Sequence, residues 1–313
     1  DFTYEIKNTK VATVDKTTGK ITSVKKGKTS LTVTDKISGQ TTSADVYVLG
    51  ADDVTFPQIL SNNYATLTLK SNGEIWSYGY NGYGQLGTGD TSNKILPTYT
   101  GINDIVSIAL GSAHTVAVDK DGHVWTWGYN NYGQLGNGTT TNSNEFVQVK
   151  DSTGKGYLTD IIEIAANNCM TYALKTDGTV YSWGYNYYGS FGVGYTTSGN
   201  ANCYPIQMQK VNNIIQISAG ENHIALLDAD GSVWQVGYNG NYQLGTNNSS
   251  NYSLPQQMLD QTGTKILYGV KEISAGDQHT TILKEDGTVW STGYNGYGQL
   301  MDGTTNSKSV IVQ

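Results

Sequence analysis

Apolar and polar residues alternate along this chain in short runs, the period of strands that bury one face. Five such runs open a recurring unit: ILSNNYATLTL from Ile59, IALGSAHTVAV from Ile108, IAANNCMTYAL from Ile164, ISAGENHIALL from Ile217 and ISAGDQHTTIL from Ile273. A polar turn follows each, ending at Gly73, Gly122, Gly178, Gly231 and Gly287. Asn-Gly or Asp-Gly between alternating runs is a hairpin signal. The next strand and turn read IWSYGYNGYGQLG from Ile75 and recur from Val124, Val180, Val233 and Val289. After a variable polar loop comes one more β-like stretch, at Ile95, Glu145, Tyr204, Leu254 and Ser309. The glycine before Tyr-Asn falls at Gly79, Gly128, Gly184, Gly237 and Gly293, spaced by 49, 56, 53 and 56 residues. A period in that range marks a propeller or solenoid, and three or four short strands per period make one blade. No segment carries helical periodicity.

Residues 1–49 stand outside the repeat. Val11 to Val33 alternates with turns at Thr18-Gly19 and Lys26-Gly27, and Val46, Val48 and Leu49 predict a last strand. Residues 50–57 read as a connector and 58–313 as the repeats.

Composition sharpens this picture. With 38 Gly, 23 Tyr, 4 Pro and 14% charged residues among 313, the chain suits short strands joined by tight turns. Its net charge is −7 and all 19 basic residues are Lys. Without the guanidinium fork, direct nucleic-acid binding is disfavoured. No apolar run reaches the roughly 20 residues of a membrane span, so membrane insertion is not expected. The lack of an initiator Met and of a signal peptide reads as a mature or excised piece. Cys169 and Cys203 form no metal-ligand pattern and read as free thiols.

The repeat resembles the regulator-of-chromosome-condensation repeat family, whose unit runs from A-G-x-x-H through D-G to W-x-x-G-x-N-x-x-G-Q-L-G. Ala219-Gly220 with His223, Ala275-Gly276 with His279, and the GQLG segments from Gly84 and Gly133 carry the match. The resemblance implies a β-propeller, with seven blades in the best-known members. Five repeats leave two closures open, a five-bladed ring or an open arc of a larger propeller, and the arc is preferred. Residues Ala12 to Val33 resemble the C-terminal half of a bacterial Ig-like (group 2) domain. That implies a partial β-sandwich segment with uncovered apolar faces. The expected fold class is therefore all-β.

Candidate chemistry is sparse. His114, His223 and His279 share one repeat position that Ala65 and Met170 fill elsewhere, so a structural hydrogen-bonding role is expected rather than a metal. The D-x-D-G turns at Asp119 and Asp228 lack the downstream Glu of a calcium loop and read as hairpins. Asn81, Asn130, Asn186, Asn239 and Asn295 recur in all five units and are expected to cap their own turns. Trp76, Trp125, Trp234 and Trp290 are expected in the core, with a cost near 3–5 kcal/mol for Trp125→Ala. Tyr80, Tyr129, Tyr185, Tyr238 and Tyr294 are expected to be structural by the same logic, though a half-exposed aromatic rim would also suit sugars or proteins.

No nucleophile–base pair, paired carboxylates or phosphate loop is present, so neither enzyme activity nor a cofactor is expected. Partner choice is expected in the unrepeated loops, carried by Tyr157, Tyr195, Tyr252 and Tyr268. The expected function is a non-catalytic binding module of a secreted or cell-surface bacterial protein that recognises a protein or glycan. The family resemblance implies, as the alternative, nucleotide exchange on a small GTPase.

Overall fold

The computed structural model describes residues 2–50, 53–62, 64–197 and 201–313. They divide into one compact unit of Asp1–Phe56 with Ser71–Gly73, and a second of Pro57–Lys70 with Glu74–Gln313. Among the described residues every regular element is a strand.

In the first unit, β1 (Phe2–Ile6), β2 (Ala12–Val14), β3 (Ile21–Ser23), β4 (Gly27–Asp35) and β5 (Thr41–Val48) follow in order. They form an antiparallel sheet ordered β1-β4-β5 and a separate β2-β3 hairpin. The hairpin turns at Gly19, with φ +72°, while Asp15 Oδ1 caps the amides of Thr17 and Thr18. β1 was not evident in the sequence pattern. The core is small, centred on Ile6, Val11 and Ala12, whereas Phe2, Ile21, Val24 and Ile37 are exposed.

The second unit is five four-stranded antiparallel blades. The first holds β6 (Gln58–Ser61), β7 (Ala65–Leu69), β8 (Ile75–Gly79) and β9 (Lys94–Tyr99). The second holds β10 (Ile105–Leu110), β11 (His114–Asp119), β12 (Val124–Gly128) and β13 (Ser143–Gln148). The third holds β14 (Ile161–Asn167), β15 (Met170–Lys175), β16 (Val180–Gly184) and β17 (Asn202–Gln207). The fourth holds β18 (Ile214–Ala219), β19 (His223–Asp228), β20 (Val233–Gly237) and β21 (Tyr252–Gln257). The last holds β22 (Val270–Ala275), β23 (His279–Lys284), β24 (Val289–Gly293) and β25 (Lys308–Val312). The leading strands β6, β10, β14, β18 and β22 pack on one another in sequence and form the inner edge.

Alternation puts apolar side chains on both faces of each blade, so the core consists of slabs between blades. Leu67, Leu69 and Ile75 of the first blade pack with Ile105, Ala117 and Trp127 of the second. Val118 and Val124 meet Ile161 and Trp183, Tyr172 and Leu174 meet Ile217 and Leu226, and Leu227 and Val233 meet Val270 and Ile282. The two ends of the row lack this cover. Ile108, Ile164, Ile217 and Ile273 are between 3% and 7% exposed, but the equivalent Ile59 of the first blade is 67% exposed. At the other end Val289 is 42% exposed, where Ile75, Val124, Val180 and Val233 are sealed. The five repeats thus form an open row.

The repeated tryptophans are not the buried ones. Trp76, Trp125, Trp234 and Trp290 are half-buried at the D-G turn end of each blade. There the indole N–H of Trp125 donates to Asp119 Oδ2 at 3.0 Å, that of Trp76 to Glu74 Oε2 at 3.0 Å, and that of Trp290 to Thr288 Oγ1 at 2.8 Å. The sealed indoles belong to Trp127 and Trp183, two residues further on the same face. Their N–H groups donate at 2.9 Å to the carbonyls of Gln85 and Gln134 in the preceding blade. The expectation of a core Trp125 is corrected accordingly: on the face toward the preceding blade the slab seals Trp127 and leaves Trp125 at its margin. Trp127→Ala is expected to cost about 3–5 kcal/mol, and Trp125→Ala under about 2 kcal/mol. Denaturant titration of the two variants checks the order.

Candidate functional site

Each blade's third strand ends in the Gly-Tyr-Asn turn, and backbone geometry explains the glycine. Gly128 has φ +105°, and a Cβ there would sit 2.6 Å from the Ala113 carbonyl. That same carbonyl accepts the Tyr129 amide at 2.9 Å. Identical bonds bind Tyr80 to Tyr64, Tyr185 to Cys169, Tyr238 to Asn222 and Tyr294 to Gln278.

The next residue is the sealed asparagine. Asn130 Oδ1 accepts the Leu135 amide at 2.9 Å, while Nδ2 donates to the carbonyls of Thr139 and Thr141, both at 3.0 Å. Asn81, Asn239 and Asn295 repeat this pattern toward Leu86, Leu244 and Leu300, and Asn186 toward Phe191 and the Tyr195 carbonyl. The side chain therefore closes the whole GQLG loop rather than only its own turn. In that loop Gln85, Gln134, Gln243 and Gln299 each accept the amide two residues earlier at 3.0 Å.

The histidines lie beneath these turns. His114 and His223 are sealed, with Nε2 at 2.9 and 3.0 Å from Thr171 Oγ1 and Thr280 Oγ1 of the following blade. Each threonine hydroxyl donates onward at 2.9 Å to the Gln134 or Gln243 carbonyl, so the imidazole must be the donor to it. The ring lies against Gly111 or Gly220, where a side chain would collide with it. Blades without the histidine carry Asn62 and Asn167 in place of that glycine, and their amides reach carbonyls of the next blade. Burial drops both imidazole pKa values from 6.5 to about 3. His279, on the last blade, is half-buried, and burial lowers its pKa against the opposing charge of Asp277.

These constraints project a band of tyrosines from one end of the row. Ring contacts run Tyr64–Tyr80–Tyr83–Tyr129–Tyr132–Tyr185–Tyr187–Tyr188–Tyr238, with centroids 4.8–6.4 Å apart. Asn241 interrupts the band and donates to Gln278 Oε1 at 3.0 Å, and Gln278 donates to Glu221 Oε2. Tyr294 and Tyr297 resume it. Tyr80, Tyr83 and Tyr187 are 40%, 39% and 51% exposed, while Tyr129, Tyr132 and Tyr185 are half-buried. Partial burial raises the phenol pKa of Tyr129 and Tyr185, which keeps both as neutral hydrogen-bond donors. Such a surface offers rigid apolar area with polar tips and little rotamer entropy to lose. Beneath it, the His114 and His223 imidazoles are committed to threonines.

The unrepeated tyrosines are not brought together. Tyr157 and Tyr268 are about half exposed and lie on connectors leading into β14 and β22, at the D-G turn end. Tyr157 pairs with Lys150, whose ammonium lies 4.2 Å from its ring centroid. Tyr195 and Tyr252 lie at the opposite end, with residues 198–200 of the Tyr195 loop outside the described residues. Tyr252 is not a loop residue; it begins β21, and its hydroxyl accepts from Asn248 at 3.0 Å. Four tyrosines on two ends of the row cannot form one site, because antiparallel strands carry successive connectors to opposite ends. The extended band was missed as a site because each tyrosine reads as framework until neighbouring blades are placed side by side.

Among the described residues Asp119, Asp121 and His123 are the one cluster of three potential metal donors. Asp119 is already spent there: Oδ1 accepts the amides of Asp121 and His123, and Oδ2 faces His123 Nδ1 and Trp125 Nε1. The cluster is a hairpin turn. Cys169 and Cys203 are free, with burial raising the Cys169 thiol to about 11.

Neutral burial of His114 and His223 couples folding to pH. Their folded pKa lies below the unfolded value, so their contribution is full above about 6.5 and declines as pH falls. The unfolding constant should rise by up to about a hundredfold per histidine at pH 4.5. His223→Gln is expected to flatten the acid limb of stability against pH, measured by denaturation from pH 7 to 4.5.

Comparisons with known proteins agree with this geometry. Residues 99–313 match the RCC1-like domain and residues 72–118 the regulator of chromosome condensation (RCC1) repeat. Residues 1–46 match the bacterial Ig-like domain (group 2). The chain is 30% identical over 264 residues to the human probable E3 ubiquitin-protein ligase HERC4, covering 82% of this chain and 19% of that protein. It is 29% identical over 263 residues to the Arabidopsis thaliana ultraviolet-B receptor UVR8, covering 82% and 58%. The chain thus spans about a fifth of the length of HERC4 and less than two thirds of that of UVR8. Human WBSCR16 superposes with a TM-score of 0.69 at 21% identity, over 82% of this chain and 67% of that one. Prp20p of Saccharomyces cerevisiae, described with binding properties to Gsp1p and histones, superposes at 0.67 and 19% identity, over 92% and 75%. The residues after β9, blades two to five, are matched as a single RCC1-like domain with the blade construction seen above, and the chain belongs to the RCC1-like domain family.

Proposed function

We propose that the propeller unit is a non-catalytic recognition module of a secreted or surface-displayed bacterial protein, which docks a protein or glycan on the tyrosine band. The observation that carries this is the continuity of the band across the first four blades, an uncharged aromatic surface with amide neighbours. Exposed aromatic area of this kind is what interfaces use for anchoring. The bacterial Ig-like match at residues 1–46 supports the surface location. The Gsp1p and histone binding described for Prp20p supports a protein partner for this fold in general. Nucleotide exchange is the second reading; at 19–21% identity the likeness to yeast RCC1 concerns the fold alone.

The location of the site is tested by replacing Tyr129 and Tyr185 together with Ala, and separately Tyr157 and Tyr268. Both pairs are screened against arrayed glycans and arrayed bacterial surface proteins. The band pair is expected to weaken any ligand of the parent by about tenfold or more, while circular dichroism is unchanged. If the band pair binds like the parent and the connector pair does not, the site is on the connectors. A GDP-release assay with small GTPases checks the exchange reading; acceleration there would favour it.

A further inference from the structure

Five blades place one residue at the same inner-strand position: Gln58, Ser107, Glu163, Gln216 and Glu272 pair with Leu69, Val118, Leu174, Leu227 and Leu283 respectively. The two glutamines act as two-point clamps on the next blade. Gln58 Oε1 accepts the Ile108 amide at 3.4 Å while Nε2 donates to the Val106 carbonyl at 3.3 Å. Gln216 Oε1 accepts the Ile273 amide at 3.0 Å while Nε2 donates to the Ile273 carbonyl at 3.3 Å. Glu163 occupies the equivalent place between the third and fourth blades, where Oε2 accepts the Ile217 amide at 3.2 Å. An ionised carboxylate has no proton for the second bond; the protonated acid has one and then matches the carboxamide.

We propose that Glu163 is a proton-dependent clamp between the third and fourth blades, complete only when its carboxyl group is protonated. Its surroundings favour that form. Desolvation is the main influence on the group and raises its pKa from 4.5 to about 7, against a smaller opposing effect of the Ile217 amide. The elements packed on β14 offer no countercharge. β10 and β18 hold no ionisable residue, and β14 itself holds no other. On β11, His114 is held neutral by burial and Asp119 is engaged by the His123–Trp125 turn. On β15, Lys175 reaches Asp160 at 3.5 Å, and burial keeps the Tyr172 phenol neutral. The same two blades, third and fourth, are bridged at the opposite end of their strands by the Tyr188–Tyr238 ring contact, with centroids 4.8 Å apart. Acidification therefore tightens the seam between the third and fourth blades.

The sign follows from linkage. A carboxyl group whose folded pKa is raised contributes stability that is full below about 4.5 and lost as pH climbs through about 7. The test is denaturant unfolding of the full chain and of Glu163→Gln at pH 5 and pH 8. Tryptophan fluorescence is the readout, since all six tryptophans, from Trp76 to Trp290, belong to the propeller unit. The unfolding constant of the parent relative to Glu163→Gln is expected to grow by about tenfold or more from pH 5 to pH 8. The buried histidines are common to both proteins and cancel in that ratio. Glu163→Ala, which lacks both bonds, should be weaker than Glu163→Gln by the same factor at both pH values. A parent-to-Gln ratio that does not change with pH overturns the proposal. Carbon-13 labelling of glutamate carboxyls reads the group directly: a resonance that titrates near neutrality and is missing from Glu163→Gln supports it, and no such resonance in the parent overturns it.

Discussion

The seam between successive blades is the constraint on which the rest of the propeller unit depends, and its central contact is one backbone carbonyl. The Gln85 carbonyl accepts both the Thr115 hydroxyl and the Trp127 indole N–H of the following blade, at 2.8 and 2.9 Å. The Gln134 carbonyl does the same for Thr171 and Trp183. A loop carbonyl can serve two partners in another sheet only if the loop is rigid. The sealed asparagine at the Gly-Tyr-Asn turn supplies that rigidity, since its amide binds the loop at both ends and water cannot replace it. Each blade thus cannot complete its own hydrogen bonding, and each presents a finished surface only to a neighbour.

Variation along the row follows from the same seam. Where His114 or His223 reaches across, glycine must lie beneath the ring, and where Ala65 or Met170 stands instead, asparagine fills the space and bridges by its own amide. The two solutions satisfy the same inter-blade gap with different pairs, which is why neither histidine nor glycine is needed in every copy. The buried imidazoles and the Glu163 carboxyl have opposite pH dependence. The former stabilise the unit toward neutral pH and the latter toward acid.

The tyrosine band is a by-product of this framework and also its most distinctive surface. Tyr80, Tyr129, Tyr185, Tyr238 and Tyr294 are placed by the amide that each donates into its own blade, and Tyr83, Tyr132 and Tyr297 by the amide that each donates to the glutamine two residues on. Ring contacts between blades then link them into one surface. Replacement of one tyrosine by Asn241 leaves an amide-lined notch between the fourth and fifth blades, so the surface is not uniform. That break offers a docked partner a means of register that five identical repeats lack.

Strand alternation, the hairpin glycines and the five-fold recurrence of Gly-Tyr-Asn were sufficient on their own to specify an all-β chain of stacked repeats, because each is a local backbone requirement. The anchor glycines are the clearest case: φ near +105° and a carbonyl against the α-carbon exclude any side chain, whatever surrounds the blade. The half Ig-like segment was legible for the same reason, apart from β1. Three features were decided only when blades were set beside each other. Trp125 and Trp127 share one face of one strand, and only the depth of the neighbouring blade determines which is sealed. Tyr157, Tyr195, Tyr252 and Tyr268 share a residue type and an absence of repetition, but strand direction sends them to opposite ends. Glu163 carries no signal in the repeat, and only Gln58 and Gln216 at the equivalent positions mark its place as a clamp on the next blade. Local periodicity is set by the chain's own backbone, whereas burial, convergence and protonation depend on atoms that lie some fifty residues away and become neighbours only on folding.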